Sequence, residues 1–208
     1  MTAVVVATRL EAWAAHRRLP SEVGLHRVGV GLKSGRPPRS CPRLLVCGLA
    51  GALSEHLPAG SVVVPDMVGL PNGERYRCEV ELTASLRGAA RRLGWEPCAE
   101  PLLTLPHLTT GEVRRHWGAA GFAAVDMESG WLLRAGYTAA VVRVVLDTPG
   151  EELSPLWESP LRAAARPRLW PELVRLALTG PALALRAASV AAAVADRRHC
   201  SVRRITDA

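Results

Sequence analysis

Thr138–Leu146 reads TAAVVRVVL, nine residues dominated by valine and alanine, with Arg143 their single charged member. Apolar residues occupy both parities of this run, so a strand built from it must be covered on both faces. That is the situation of a parallel sheet sandwiched by helices. Ala3–Ala7 (AVVVA) and Leu44–Cys47 (LLVC) have the same character on a shorter scale. Leu25–Leu32, Ser61–Pro65 after the Pro58–Ala59–Gly60 turn, and Phe122–Val125 complete the expected strands. Helical stretches lie between them. One runs through Glu11, Trp13 and Ala14 and ends before Pro20. Leu82–Leu93 places Leu82, Leu86, Ala89, Ala90 and Leu93 on one stripe, and Thr110–Trp117 and Met127–Ala135 follow. After Pro155 the chain is expected to be helical, broken at Pro171 and again at Gly180–Pro181. The alternation predicts an α/β fold: a three-layer α/β/α sandwich around a mixed, mainly parallel central sheet. One domain is expected over residues 1–208, with a basic helical tail over 160–208.

Composition removes several function classes. With 208 residues, 49% hydrophobic and only 4% aromatic, the chain can bury a sizeable core made of Val, Leu and Ala. The net charge of +7 is unevenly spread. Residues 160–208 carry nine arginines against Glu172, Asp196 and Asp207, a net of +6, which leaves the rest near +1. Nucleic-acid binders carry their charge on the folded body with aromatics between the cations, so nucleic acid is not an expected partner. The five cysteines (41, 47, 78, 98, 200) are odd in number and form no C-x-x-C pair, which predicts reduced thiols. The six histidines show no metal spacing, and no metal or cofactor is expected. Gly29-Val30-Gly31 with Gly35 has one residue too many for a dinucleotide fingerprint. Ala3–Ala7 is too short for a secretory signal. Val174–Ala195 is interrupted by Arg175, Gly180–Pro181 and Arg186, so no spanning helix is expected and the cytoplasm is the default location.

Ligands of open α/β sheets bind beyond the carboxyl ends of the strands, so the residues after each strand matter most. After AVVVA come Thr8, Arg9 and Glu11; after LLVC comes Gly48-Leu49-Ala50-Gly51. After FAAV comes Asp126-Met127-Glu128-Ser129, and after VVRVVL comes Asp147-Thr148-Pro149-Gly150. Converging tips would place Glu11, Glu128 and Asp147 around a pocket with glycine backbone on one wall. Each residue also has a plainer reading. Glu11 fits a solvated first-turn helix residue, Asp126 an N-cap, and Asp147 a turn former before Thr-Pro-Gly.

The segments VVVATRLEA, LLVCGLAGALSEHLPAGSVVVPD, AAVDMESGWLL and AAVVRVVLDTPGEEL occur in that order within residues 3–153. In this they resemble the nucleoside phosphorylase and methylthioadenosine/adenosylhomocysteine nucleosidase superfamily. The DMES form and the tail WPELVRLALTGPALALRAASVAAAVA are most similar to the branch associated with hopanoid biosynthesis, which removes adenine from adenosylhopane. The resemblance implies an enzyme cleaving the N-glycosidic bond of an adenosine-type nucleoside, a purine nucleosidase or a nucleoside phosphorylase. It implies that Glu128 binds the ribose hydroxyls and Met127 packs on the sugar. Asp147 would be the general acid at N7 of the purine, Glu11 the activator of water, and Gly48, Ala50 and Gly51 the turn near the sugar. It also implies a homodimer acting on a small-molecule nucleoside, free or lipid-linked. The tail, apolar at Leu173, Leu176, Ala177, Ala184, Leu185, Ala188 and Ala195 with Arg175, Arg186, Arg197, Arg198, Arg203 and Arg204 around them, reads as a C-terminal helix packed on the sheet with a basic end, or as a peripheral contact to the inner face of the membrane. Three departures stand out: Leu146 replaces a serine often found before the acid, the chain is short between Val64 and Ala123, and TLPHLT (104–109) lacks the usual Ser-Gly-Asp of the base-binding loop.

The chemistry agrees with those positions. Glycosidic cleavage leaves positive charge on the sugar, which a fixed carboxylate stabilises. A purine departs poorly as an anion, so an acid must protonate it, and water must be activated on the opposite face. A phosphorylase would instead need cations for phosphate, for which Arg9 and Arg143 are available. A different class of function also stands: a catalytically silent scaffold of the same fold that docks through its basic tail.

Overall fold

The computed structural model describes residues 2–37, 40–41, 43–158 and 163–203, with side chains described as far as Ala195. Ten strands form one sheet: β1 (Thr2–Val6), β2 (Leu25–Arg27), β3 (Arg43–Ala52), β4 (Val62–Val63), β5 (Met67–Gly69), β6 (Arg75–Arg77), β7 (Pro97–Cys98), β8 (Leu102–Thr104), β9 (Ala124–Asp126) and β10 (Thr138–Asp147). Among the described residues, its longer helices are α1 (Arg9–Arg18), α2 (Val80–Arg92), α3 (Gly111–Ala119), α4 (Ser129–Arg134) and α5 (Trp170–Arg203). The long strands β1, β3 and β10 pair in parallel, while β4, β6 and β9 join antiparallel, so the sheet is mixed and mainly parallel as expected.

The two parities of the apolar strands feed two cores. Val4, Leu45, Cys47, Ala140 and Val142 pack with α2 and α5; Val5, Leu44, Val46, Ala139 and Val141 pack on the other face with Leu132 and Leu133 of α4. Val141, Val142, Val144 and Val145 are all fully buried. Each contributes roughly 1.5–3 kcal/mol relative to exposure, so β10 anchors the fold.

Three expectations need correction. Leu25–Leu32 is a strand only to Arg27; Val30–Leu32 is a 3-10 turn, because Gly29 and Gly31 adopt left-handed backbone at φ 76° and 62°. LLVC does not end in a turn: β3 runs on through Gly48–Ala52, where β9 and β10 supply its ladder. The final helix is not broken, since α5 runs from Trp170 to Arg203 through both prolines. Pro171 sits in its first turn, where no amide partner is lost. Pro181 is carried by packing, with Ala184, Ala187, Ala188, Val190, Ala191 and Val194 all buried beyond it. Although Pro167–Ala195 is long and apolar enough to cross a membrane, this buried half is a core helix.

Candidate active site

The register of β3 explains why the site lies where it does. β1 ends level with Val46, while antiparallel β9 comes from the other direction, its Val125 opposite Gly51. The two strands therefore point at each other along one edge of β3, leaving a gap beside Gly48–Ala50. Glu11, Met127 and Glu128, just beyond the two strand ends, converge there. On the other edge, β10 sets Arg143 opposite Gly48. A shift after Val145 then leaves Leu146 as an extra residue and brings Asp147 opposite Gly51.

These elements enclose a cavity of about 330 Å³ lined by Glu11, Asp126, Met127, Glu128 and Asp147, with Leu49, Ala50 and Gly51 as its β3 wall. The volume is at the small end of ordinary ligand sites. Six of the seven site residues proposed from sequence therefore share one cavity. Gly48 is the exception: it lies beneath the wall, and a Cβ there would overlap the Glu11 carboxylate and the Arg143 guanidinium.

Glu11 is only 4% exposed, which overturns the solvated reading, although it is also the N3 residue of a capping box with Thr8. Its Oε2 accepts from the Ala7 amide at 3.0 Å, the Thr8 amide at 2.7 Å and Thr8 Oγ1 at 3.0 Å. Its Oε1 accepts from the Leu49 amide at 2.7 Å. Helix capping and a fixed carboxylate at the cavity are thus one arrangement.

Arg143 crosses β3 over the side-chain-free Gly48. Its Nη2 reaches Asp126 Oδ2 at 2.5 Å and Glu128 Oε2 at 3.2 Å, and its Nε reaches Asp126 Oδ2 at 3.0 Å. Burial alone would lower its pKa, but Asp126, Glu128 and Glu11 together raise it, so the cation is permanent. Asp126 is not the N-cap expected of it, a position that Glu128 holds; it accepts from the Ser129 amide and hydroxyl and from Thr104 Oγ1 at 2.5 Å. Glu128 Oε1 accepts from the Gly31 amide at 2.9 Å. Burial pushes the Glu128 carboxyl up to about 7; Arg143 pulls it down, while Asp126 and Glu11 push it further up.

At the opposite end, Asp147 is 4% exposed. Its Oδ2 accepts from Arg114 Nη2 at 2.6 Å and from the Leu153 amide at 3.2 Å, so Asp147 is more than a turn former.

Several lining residues have no sequence signal. Leu10, Leu108, Leu153, Trp157 and Leu176 make much of the wall apolar, and Gly180 completes it. Leu108 belongs to TLPHLT, the segment expected near the base. Glu172 of α5 binds the Ser154 amide at 3.1 Å and Trp157 Nε1 at 2.8 Å, and so ties the loop after β10 to α5. Arg175 and Arg186, which read from sequence as outward charges of the tail, have internal partners. Arg175 pairs with Glu151 at 2.7 Å, and Arg186 donates to the Gly60 carbonyl at 2.5 Å and stacks on Trp95. Arg197, Arg198, Arg203 and Arg204 lie outside the residues whose side chains are described. Cys41, Cys47, Cys78 and Cys98 are free thiols; burial pushes Cys47 and Cys78 up to about 12.

No family model and no curated protein matches the sequence. Among solved structures the fold is that of the nucleosidases that act on adenosine-type and related nucleosides. A mutant of Helicobacter pylori methylthioadenosine nucleosidase, with 5′-methylthioadenosine in its active site, superposes with a TM-score of 0.69 at 12% identity, covering 94% of this chain and 98% of that one. Futalosine hydrolase of Helicobacter pylori gives 0.67 at 13% identity, covering 94% and 97%. S-adenosylhomocysteine nucleosidase of Streptococcus pyogenes, with 5-methylthiotubericidin, gives 0.69 at 14% identity, covering 93% and 94%.

Proposed function

We propose that this protein is a purine nucleosidase that hydrolyses the N-glycosidic bond of an adenosine-type nucleoside and releases adenine. The observation that carries the reading is the meeting of Glu11, Glu128 and Asp147 at one apolar-walled cavity, each from a different part of the chain. Glu128 and Met127 take the ribose, Glu128 holding its hydroxyls and opposing positive charge on the sugar. Asp147 protonates the departing purine, and Glu11 orients and deprotonates the attacking water. Ala50 and Gly51 let the sugar approach the backbone, while Gly48 gives Glu11 and Arg143 room beneath it.

Water is favoured over phosphate as nucleophile because the described cavity wall contains no Arg or Lys. Arg143 is committed to Asp126 and Glu128, and Arg9 faces solvent. Adenosylhopane is the substrate we favour. The apolar wall supports a hydrocarbon 5′ substituent, and a triterpenoid is too large for the cavity and must extend beyond it. On the outer side of α5, Trp170, Leu173, Val174 and Leu178 form an exposed stripe at helical spacing. With the basic residues after Asp196, this stripe supports contact with the inner face of an anionic membrane, by a protein that we take to be a cytoplasmic homodimer.

Purified protein incubated with adenosine nucleosides in phosphate-free buffer is expected to release adenine and free sugar, and Glu11→Gln to abolish the release. Obligatory phosphate with a sugar 1-phosphate product would overturn hydrolysis. No purine release under either condition would leave the scaffold reading. Full-length protein that ignores anionic liposomes at low salt would remove the membrane part.

A further inference from the structure

Arg114 is the single buried residue of α3 and is 2% exposed. Nothing in the sequence marks it, because it stands beside Arg115, an arginine of the same helix that is exposed. Its Nη2 holds Asp147 Oδ2 at 2.6 Å, and a Cβ on Gly51 would come within 2.5 Å of the same nitrogen. Gly51 thus makes room for this pair as Gly48 does for Arg143. The other side of the guanidinium is unusual: Nε and Nη1 are buried without a hydrogen-bond partner among the described residues. The nearest further acid, Glu152, stands 3.9 Å from Nε and is already bonded to the Gly111 amide at 2.8 Å. A buried guanidinium left half-satisfied is costly, so the pair gains when the carboxyl beside it acquires charge.

We propose that Arg114 is the positioning residue of the leaving-group acid. It fixes Asp147 Oδ2 and takes up the negative charge that proton transfer leaves on that carboxylate. The inference rests on the reading of Asp147 given above. In the step, the C1′–N9 bond breaks and its electron pair passes to the purine. The Asp147 proton moves to N7, water adds its oxygen to C1′, and the water proton goes to Glu11. Asp147 becomes a carboxylate during this step, so its attraction to Arg114 grows as the reaction proceeds. An interaction that strengthens along the reaction lowers the barrier. Arg114 itself exchanges no proton.

The test compares two leaving groups. Adenine needs a proton to depart, whereas the p-nitrophenolate of p-nitrophenyl β-D-ribofuranoside does not. Arg114→Met is expected to lower kcat for adenosine about ten- to hundredfold, the value of one hydrogen bond to a charged group. It should leave kcat for the p-nitrophenyl riboside close to wild type. Arg114→Lys, which keeps the cation if the Met variant folds poorly, should show a smaller loss confined to adenosine. Equal losses with both substrates, in either variant, would make Arg114 a structural support and overturn the proposal. So would undiminished adenosine cleavage. The failure of the underlying reading looks different: a wild-type protein that cleaves the p-nitrophenyl riboside but no purine nucleoside, or neither, removes Asp147 as purine acid and Arg114 with it.

Discussion

Glu11 and Glu128 at one end of the cavity are as deeply buried as Asp147 at the other, yet the two ends are partnered differently. Around Arg143, Asp126 and Glu128 share one cation with Glu11 close by, and the three carboxylates collect amide and hydroxyl donors from Ala7 and Thr8, the Val30–Leu32 turn, β3 and α4. Around Arg114, Asp147 is the one carboxylate within hydrogen-bond reach, Glu152 stands 3.9 Å away, and two nitrogens of the cation are unbonded among the described residues. A network with many mutual partners fixes geometry. A sparse pair leaves its acid few contacts to rearrange when it reacts. The first arrangement suits a sugar that must be held still, the second a group that must give up a proton.

Breaking the sparse end is expected to have the largest effect. Asp147→Asn keeps the shape but removes the transferable proton, and purine release should fall by about two to four decades while the protein stays folded, as followed by circular dichroism. Near-wild-type release would return Asp147 to a purely structural role. At the crowded end, the damage should fall on stability. Arg143→Met leaves Asp126, Glu128 and Glu11 without their common cation and is expected to cost about 3–5 kcal/mol in urea unfolding. A loss below about 1 kcal/mol would mean that the carboxylates are satisfied without it.

A milder disturbance comes from Gly48→Ala, which adds one methyl between Glu11 and Arg143. Overpacking of this kind is expected to cost about 1–3 kcal/mol, measured as a shift of the urea midpoint. Gly150→Ala, with open space around it, is the control and should be near neutral. The smallest effect sharpens the comparison through pH. Glu128 holds its proton to about 7 in the fold, against an ordinary value of 4.5. Between those limits the folded state binds more protons than the unfolded state, so this group's contribution to stability falls as pH rises from about 4.5 to about 7. Glu128→Gln should flatten that decline in a plot of Tm against pH. An unchanged slope would show that another group is responsible.

How legible each feature is in the sequence depends on how local it is. The cores of β1, β3 and β10 are readable because burial on both faces writes itself as unbroken Val and Ala runs. Glu11, Glu128 and Asp147 are readable because strand ends are where a sheet exposes its chemistry. The Gly48–Gly51 stretch reads wrongly as a turn, since glycine is a poor strand former. Register with β9 and β10 decides its path, and register is not written in any short window. Gly31 supplies a backbone amide, which has no residue-type signature, and its pairing with Glu128 spans 97 positions. Arg114 is invisible for a related reason, with its partner 33 residues away. Arg186 reads as a surface charge because an arginine stem and a carbonyl 126 positions earlier leave no periodic trace.

The order in which the cavity's parts follow one another along the chain has a consequence for synthesis. A ribosome has made every carboxylate of the site by residue 147, but Leu176 and Gly180 of α5 also belong to the wall. Gly180 is one of the points where α5 meets α1: a Cβ there would stand 3.2 Å from Leu10 Cδ2. Until α5 emerges and docks, that side of the pocket and the apolar surface of β1, β3 and β10 lie open to water. A nascent chain stalled between residues 150 and 170 would carry the full set of acids and still be silent. Its exposed valines would make it a substrate for chaperones.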